Sequence, residues 1–171
     1  MGSYSDGKEE ICAWIRREFP PERTILDVGA CDGKWRKLLP EYKMDAVEVF
    51  RPYAEKLTGY RHVMVEDICK LKYSPTAYDL IIFGDVIEHM SVEDAQKTLE
   101  YARARCWDMI IAVPYLYKQG EVDGNPWQAH IQDDLTPEIF EERYPGYEPL
   151  WKNDRYCYYH KTRGRESWHY K

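Results

Sequence analysis

Residues 24–35 read TILDVGACDGKW, a stretch that puts a carboxylate and two glycines into one turn. Asp27, Gly29 and Gly33 have the spacing D-x-G-x-x-x-G, where a short apolar run gives way to a helical pattern. Two phosphate-binding patterns use turns of this kind, and neither fits. A dinucleotide fingerprint counted from Gly29 wants glycine at 31 and 34 and meets Cys31 and Lys34. A phosphate loop could take Gly33-Lys34 as its GK. Val28 then stands at its leading glycine, and Trp35 stands where Ser or Thr must bind a cation. Asp27 argues the same way, because a pyrophosphate beside it would meet like charge while a cationic ligand would gain. Two more acids follow at the ends of later apolar runs. Glu48 comes about twenty residues after the turn, where a carboxylate can accept both hydroxyls of a ribose. Asp67 comes after a third run. A second group offers acid–base chemistry. Asp85, Glu88 and His89 are spaced i, i+3, i+4, so a helical turn would put all three on one face, and His130 follows in a later loop. Imidazole is the side chain best suited to take a proton near neutral pH.

The elements that must position these groups alternate. Lys8–Phe19 has Ile11, Trp14, Ile15 and Phe19 on one helical face and stops at Pro20-Pro21. TILDVG reads as a strand, GKWRKLLPEY as a helix broken near Pro40, MDAVEVF as a second strand and RPYAEKL as a helix with Pro52 in its first turn. RHVMVEDI reads as a third strand. YDLIIFGDV is a continuous apolar run of the kind found in central parallel strands. Ser91 caps a helix with acids in its first turn, and WDMIIAVP is a fifth strand. After Pro114 a polar-aromatic loop leads to a helix capped by Thr136, with Pro137 in its first position. YEPLW and RYCYYHK, joined by KND, then form an antiparallel hairpin at the sheet edge. The expected fold is a doubly wound α/β sheet, mostly parallel, with helices on both faces and a C-terminal antiparallel hairpin. One domain is expected over 1–171. Residues 1–23 give its N-terminal helix, 24–114 its ligand-binding βα units, and 115–171 its substrate-side loop, helix and hairpin.

The D-x-G-x-x-x-G turn resembles the [DE]-x-G-x-G-x-G motif of the class I S-adenosylmethionine-dependent methyltransferases, with Cys31 departing from the motif's central glycine. S-adenosylmethionine carries an ammonium and a sulfonium and no phosphate, the charge the acids call for. FGDVIEHM is similar to the segment after the fourth strand in the ubiquinone-biosynthesis type and its small-molecule relatives. HIQDDLTPEIFEERYPGY is similar to a later segment of the same group, so the resemblance spans roughly residues 24–150. It implies a Rossmann-like methyltransferase fold that binds S-adenosylmethionine through Asp27, Gly29, Ala30, Cys31, Gly33, Glu48, Val49, Asp67, Ile68 and Gly84, with Asp67 at the adenine amino group. The expected activity is methyl transfer to a hydroxyl of a small molecule or sugar. His130, His89 and Asp85 are the catalytic candidates, His130 ahead of His89 as general base, and no metal is expected. Three other readings stay open. Asp85-x-x-Glu88-His89 with His130 also resembles the metal-binding set of metal-dependent RNA 2′-O-methyltransferases, which would imply Mg²⁺ or Mn²⁺. A non-catalytic cofactor-binding partner subunit and an NAD-type oxidoreductase are the others. Trp35, Tyr115, Tyr117 and Trp127 are candidates to wall an acceptor pocket.

Composition bounds the partners. The chain has 171 residues, a formal net charge of −6 and 15% aromatic residues. An acidic chain is a poor default binder of nucleic acid or anionic membrane, and the basic run HKTRGRESWHYK reads as a solvated terminus. Five cysteines with no CxxC pair fit neither a disulfide framework nor a zinc ribbon, and point to a reducing cytoplasm. No signal-peptide core and no apolar run of spanning length is present in the sequence. The expected partner is a small-molecule acceptor. A second copy of the chain, in a homo-oligomer, is one way to complete a pocket in so short a protein.

Overall fold

A computed structural model of the protein describes residues 6–71 and 78–162. Most of the basic terminal run, from 163 onward, lies outside the described residues. Helix α1 (Lys8–Glu18) buries Ile11 and Ile15, with Phe19 buried just beyond its end. Glu9 and Glu10 in its first turn and Arg16 and Arg17 in its last complement the helix dipole. The strands are β1 (Thr24–Val28), β2 (Lys43–Val47), β3 (Val63–Met64), β4 (Tyr78–Gly84), β5 (Cys106–Pro114), β6 (Glu148–Lys152) and β7 (Tyr156–Thr162). Between them run α2 (Lys34–Leu38), α3 (Arg51–Ala54), α4 (Val92–Arg103) and α5 (Pro137–Arg143).

One sheet of order β3-β2-β1-β4-β5-β7-β6 carries all seven strands. β1 to β5 pair in parallel, while β7 pairs antiparallel with both β5 and β6. The pleat sorts side chains to the two faces. Leu26, Val28, Ile81 and Phe83 face a cluster with Leu99 of α4 and Phe140 of α5. Ile25, Leu80 and Ile82 face the other cluster with Ile11 and Ile15 of α1 and Trp35 of α2. Covering on both faces explains why β4 could be a continuous apolar run, with Leu80 through Phe83 wholly buried.

From β1 the chain winds outward to β2 and β3, then returns to place β4 on the other side of β1. At that reversal the connections leave the carboxyl ends of β1 and β4 in opposite directions and open a crevice. The helices beside it begin as the sequence suggests. Ser91 Oγ accepts the Asp94 N–H at 3.1 Å, and Thr136 Oγ1 accepts the Ile139 N–H at 3.2 Å.

The third strand is far shorter than its apolar pattern suggests. Only Val63–Met64 pair, because β3 is the sheet edge and has β2 as its one neighbour. Arg61, just before it, turns to a two-pronged contact with Asp45 at 3.0 and 2.8 Å. Helix α2 ends at Leu38, ahead of Pro40, and α3 covers four residues of the expected seven.

Candidate active site

The crevice is a cavity of about 700 Å³ at the carboxyl ends of β1, β2, β4 and β5, in the range of roughly 300–1,000 Å³ usual for ligand pockets. Its floor is the turn after β1. Gly29, Cys31 and Gly33 all have left-handed backbones, with φ of 68°, 49° and 71°. At Gly29 a Cβ would come within 2.5 Å of Val86 Cγ2, so packing as well as φ demands glycine. Cys31 takes the same conformation with a side chain attached. What holds it is Glu48, whose Oε2 accepts the Cys31 N–H at 2.9 Å. Burial, then the carboxylates of Glu48 and Asp32, push the Cys31 thiol up to about 11. It is therefore protonated at neutral pH and a poor nucleophile or ligand.

Glu48 is buried at the tip of β2, and its other oxygen accepts the Phe50 N–H at 2.8 Å. It thus ties the two loops together, with a second lone pair on each oxygen still to offer. Asp67 accepts the Cys69 N–H at 3.0 Å and lines the cavity beside Ile68. Seven carboxyl residues line the cavity against two lysines, a balance that favours a cationic ligand over a phosphate.

Asp27 is placed differently from the expectation. It is buried and does not line the cavity. Its carboxylate takes the Tyr60 hydroxyl at 2.5 Å, and its other oxygen has no partner. Burial pushes it up to about 7, against the lowering by the Tyr60 hydrogen bond. Gly33 also stands behind the lining. The cavity does reach Gly29, Ala30, Cys31, Glu48, Val49, Asp67, Ile68 and Gly84, together with Asp85, His89 and His130.

The opposite wall begins where β4 ends. Gly84 leaves no room for a Cβ, which would fall 2.6 Å from the Trp35 indole nitrogen. Asp85 follows with φ 58°. It is therefore outside the helical turn, a 3-10 turn over Ile87–His89, and the three side chains do not share a helix face as their spacing suggested. The Asp85 carboxylate instead takes a hydrogen bond from the Tyr156 hydroxyl. Glu88 is wholly buried, and neither of its carboxyl oxygens has a hydrogen-bond partner. Burial, and then Asp85, push it well above the usual carboxyl range.

The loop after β5 closes on this turn through backbone. The Glu88 carbonyl accepts the N–H groups of Ile131 and Gln132 at 2.8 and 2.9 Å, and Gln132 is itself buried against Ile87 and Met90. That seam brings His130 to His89, with ring centroids 4.7 Å apart at 74°. His89 Nδ1 lies 3.1 Å from the Ala129 carbonyl, and His130 Nδ1 lies 2.7 Å from the Tyr117 carbonyl. A carbonyl only accepts, so each Nδ1 carries a proton, and in the neutral ring Nε2 keeps a lone pair. Burial pushes both imidazoles below their usual value, against the raising by those carbonyls. Among the described residues, Glu88, His89 and His130 bring one ligand atom each to within 4.8 Å of one another.

Of the aromatic candidates, Trp35, Tyr117 and Trp127 line the cavity. Tyr115 does not, and its hydroxyl is 2.6 Å from that of Tyr159 in the core. Two participants lacked a functional signal in sequence. Tyr156 lies in an aromatic strand that reads as core, and Asn125 lies in a polar loop yet is buried, accepting the Trp127 N–H at 3.0 Å. No described helix is long and apolar enough to cross a membrane.

Residues 26–105 match a family model described as a methyltransferase domain. No curated protein sequence matches the chain. Solved structures share the fold. A candidate O-methyltransferase from Nostoc punctiforme aligns with TM-score 0.62 and 13% identity over 90% of this chain and 55% of that one. This chain thus spans little more than half the length of that protein. An S-adenosylmethionine-dependent methyltransferase from Archaeoglobus fulgidus aligns with TM-score 0.60 and 18% identity over 82% of this chain and 69% of that one. The 1,6-didemethyltoxoflavin-N1-methyltransferase of Burkholderia thailandensis, solved with that compound and S-adenosylhomocysteine, aligns with TM-score 0.62 and 16% identity over 91% and 77%.

Proposed function

We propose that this chain, whose residues 26–105 match a methyltransferase domain and whose fold is shared by S-adenosylmethionine-dependent methyltransferases, transfers a methyl group from S-adenosylmethionine to a hydroxyl oxygen of a small molecule. The cavity fits the cofactor in size and in charge, with its excess of carboxylates at the strand tips. Gly29, Ala30 and Cys31 would hold it along the first turn, Glu48 and Val49 at the second strand, Asp67 and Ile68 at the third, and Gly84 at the fourth. When bound, S-adenosylmethionine supplies an electrophilic methyl on a sulfonium, which departs as a neutral thioether.

The chain's own residues do the rest. The acceptor O–H loses its proton, an O–C bond forms as the C–S bond breaks, and one proton is released per methyl moved. Aligning the two reactants and closing out water is the main source of rate in such a displacement. The observation that carries the hydroxyl assignment is the wall made by Asp85, Glu88, His89 and His130. It brings two imidazoles, each with Nδ1 committed to a backbone carbonyl, to the same cavity as the strand-tip acids, with the enclosed carboxyl groups of Asp85 and Glu88 behind them. This is the equipment for taking a proton from an acceptor that does not ionise by itself. At the mouth, Trp127 and Ile131 line the cavity yet remain 48% and 63% exposed. An acceptor with a flat apolar face would cover them. The description of the Nostoc neighbour as an O-methyltransferase supports an oxygen acceptor, and the 1,6-didemethyltoxoflavin bound by the Burkholderia neighbour supports a small one.

The test is methyl transfer from labelled S-adenosylmethionine to matched flat acceptors that differ only in bearing a hydroxyl, an amine or a thiol. Label on the hydroxyl member supports the reading. Label on the amine alone, or turnover unchanged when His89 and His130 are both replaced by alanine, contradicts it.

A further inference from the structure

We infer that Asn125 is a further cofactor-binding residue: its side-chain amide donates to the ribose hydroxyls that Glu48 receives, and the loop that carries it links cofactor seating to the placement of His130. The inference deepens the reading above and rests on it for the cofactor.

Asn125 lies in a polar loop, yet it is only 1% exposed and it lines the cavity. Burying an amide is unfavourable unless its donors and acceptors are used. Most of this residue is used locally. Its backbone N–H bonds the Val122 carbonyl at 2.8 Å, its carbonyl accepts the Gln128 N–H at 3.2 Å, and its Oδ1 accepts the Trp127 N–H at 3.0 Å. What remains is the NH₂ end of the amide. Burial pushes the Tyr53 phenol up and Asn125 opposes that push, so the amide presents a hydrogen toward the phenol oxygen. An amide nitrogen carries two hydrogens, which leaves the second for a ligand.

Tyr53 also fixes which end of the cavity this is. It belongs to α3, the helix after β2, and its ring stands edge-on to Phe50 with centroids 5.0 Å apart. The Phe50 N–H is held by Glu48 at 2.8 Å, and both Cys31 and Glu48 are near enough to act on the Tyr53 phenol. Asn125 therefore faces the cofactor from the Glu48 side. The chemistry there is half complete. A hydroxyl both gives and takes a hydrogen bond, whereas an ionised Glu48 only accepts. A donor on the opposite side completes the set, and a neutral amide supplies it without adding charge.

The loop joins this contact to the acceptor wall. Asp123 and Gly124 both have left-handed backbones, with φ of 53° and 72°, so the chain reverses tightly between Val122 and Asn125. The two legs behind that tip are braced. The Gln119 carbonyl accepts the His130 N–H at 2.9 Å, Gln119 Nε2 donates to the Gln128 carbonyl at 2.8 Å, and the Leu135 carbonyl accepts the Leu116 N–H at 2.9 Å. The root is bonded to Glu88 in the turn after β4, and the tip stands beside α3 after β2. The loop thus spans the crevice, and His130 lies on the leg that runs back from Asn125. A ligand that holds the tip also holds His130.

Asn125→Asp tests the contact, because it keeps the side-chain shape and the oxygen that accepts the Trp127 N–H while it turns the donor into an acceptor. The full chain and this variant are titrated by calorimetry with S-adenosylhomocysteine and with an analogue that lacks both ribose hydroxyls. Thermal unfolding of the free proteins is measured alongside. The expected result is S-adenosylhomocysteine binding weakened about tenfold in the variant, the scale of one lost hydrogen bond, with the analogue bound equally by both proteins and the melting temperature unchanged. In wild type, S-adenosylhomocysteine should also slow hydrogen exchange at the His130 and Ile131 amides. Equal S-adenosylhomocysteine affinity in the two proteins overturns the inference. Equal losses for the two ligands overturn it too, since the amide would then act away from the hydroxyls, and unchanged exchange at His130 overturns the link to the wall. Tyr53→Phe, which leaves every hydrogen bond within the loop in place, is the second variant. It should loosen S-adenosylhomocysteine by a few-fold, and unchanged affinity there overturns the inference even if Asn125→Asp fails to fold. No binding of S-adenosylhomocysteine to wild type would instead strike the methyltransferase reading, and the inference would fall with it.

Discussion

Tyr156 gives its phenol hydrogen to Asp85, a partner 71 residues earlier in the chain. Tyr156 opens β7 and pairs in register with Pro114 at the end of β5, so the last strand of the sheet reaches the pocket wall built by β4. Burial, then Asp85, push the phenol well above its ordinary range, which keeps it protonated and a donor. The contact fixes a carboxylate on a left-handed backbone. The C-terminal hairpin is thereby part of the site.

Replacing Tyr156 by phenylalanine should leave the Asp85 carboxylate with neither oxygen hydrogen-bonded to a side chain, since its other oxygen already lacks a partner. The expected loss is about 1–3 kcal/mol, the scale for leaving an enclosed polar group without its hydrogen-bond partner. Urea unfolding reads it as a lower midpoint at unchanged slope. An unchanged midpoint would show that the contact contributes nothing.

Asp27 carries a pH signature. Its carboxyl is pushed up to about 7 by burial, from an ordinary value of 3.8. Between those values the folded protein binds a proton that the unfolded chain does not. Its contribution to stability is therefore present below about pH 4 and is lost as pH rises to 7. Asp27→Asn, which can still accept the Tyr60 hydrogen, should remove that fall and gain up to roughly 4 kcal/mol at pH 8 relative to pH 4. Thermal unfolding of both proteins across pH 4–8 checks it. Parallel curves for wild type and variant would contradict the placement of Asp27.

Cys31 carries a left-handed backbone that glycine adopts freely. Cys31→Gly should stabilise the fold by about 1 kcal/mol through relief of that strain, partly offset by the greater freedom of the unfolded chain. Cofactor affinity should be kept, because the group that touches Glu48 is the backbone N–H. A variant that unfolds sooner and loses cofactor would show that the thiol itself is needed.

The spacing of Asp27, Gly29 and Gly33 was legible because backbone conformation and close packing restrict which residues such a turn accepts. The strand–helix alternation was legible because β4 and β5 are covered on both faces and leave long apolar runs. The caps at Ser91 and Thr136 were legible because they satisfy local backbone donors. Three features were hidden by their dependence on distant partners. Asp85 leaves the helical face because its backbone turns left-handed before the Ile87–His89 turn. Asp27 turns to Tyr60, 33 residues away, and not into the cavity. Glu88 was read as one of three acids and imidazoles on a face, and only the fold shows it buried without a donor.

Calorimetric titration of the purified chain with S-adenosylhomocysteine, and separately with NAD, tests the central claim most directly. The account predicts one saturable S-adenosylhomocysteine site with a Kd on the order of micromolar, about −8 kcal/mol, and no heat of binding with NAD. It also predicts that Glu48→Ala weakens that site by about 1–3 kcal/mol through loss of the carboxylate that holds the Cys31 turn. Binding of NAD, or no binding of S-adenosylhomocysteine at millimolar concentration, would contradict it.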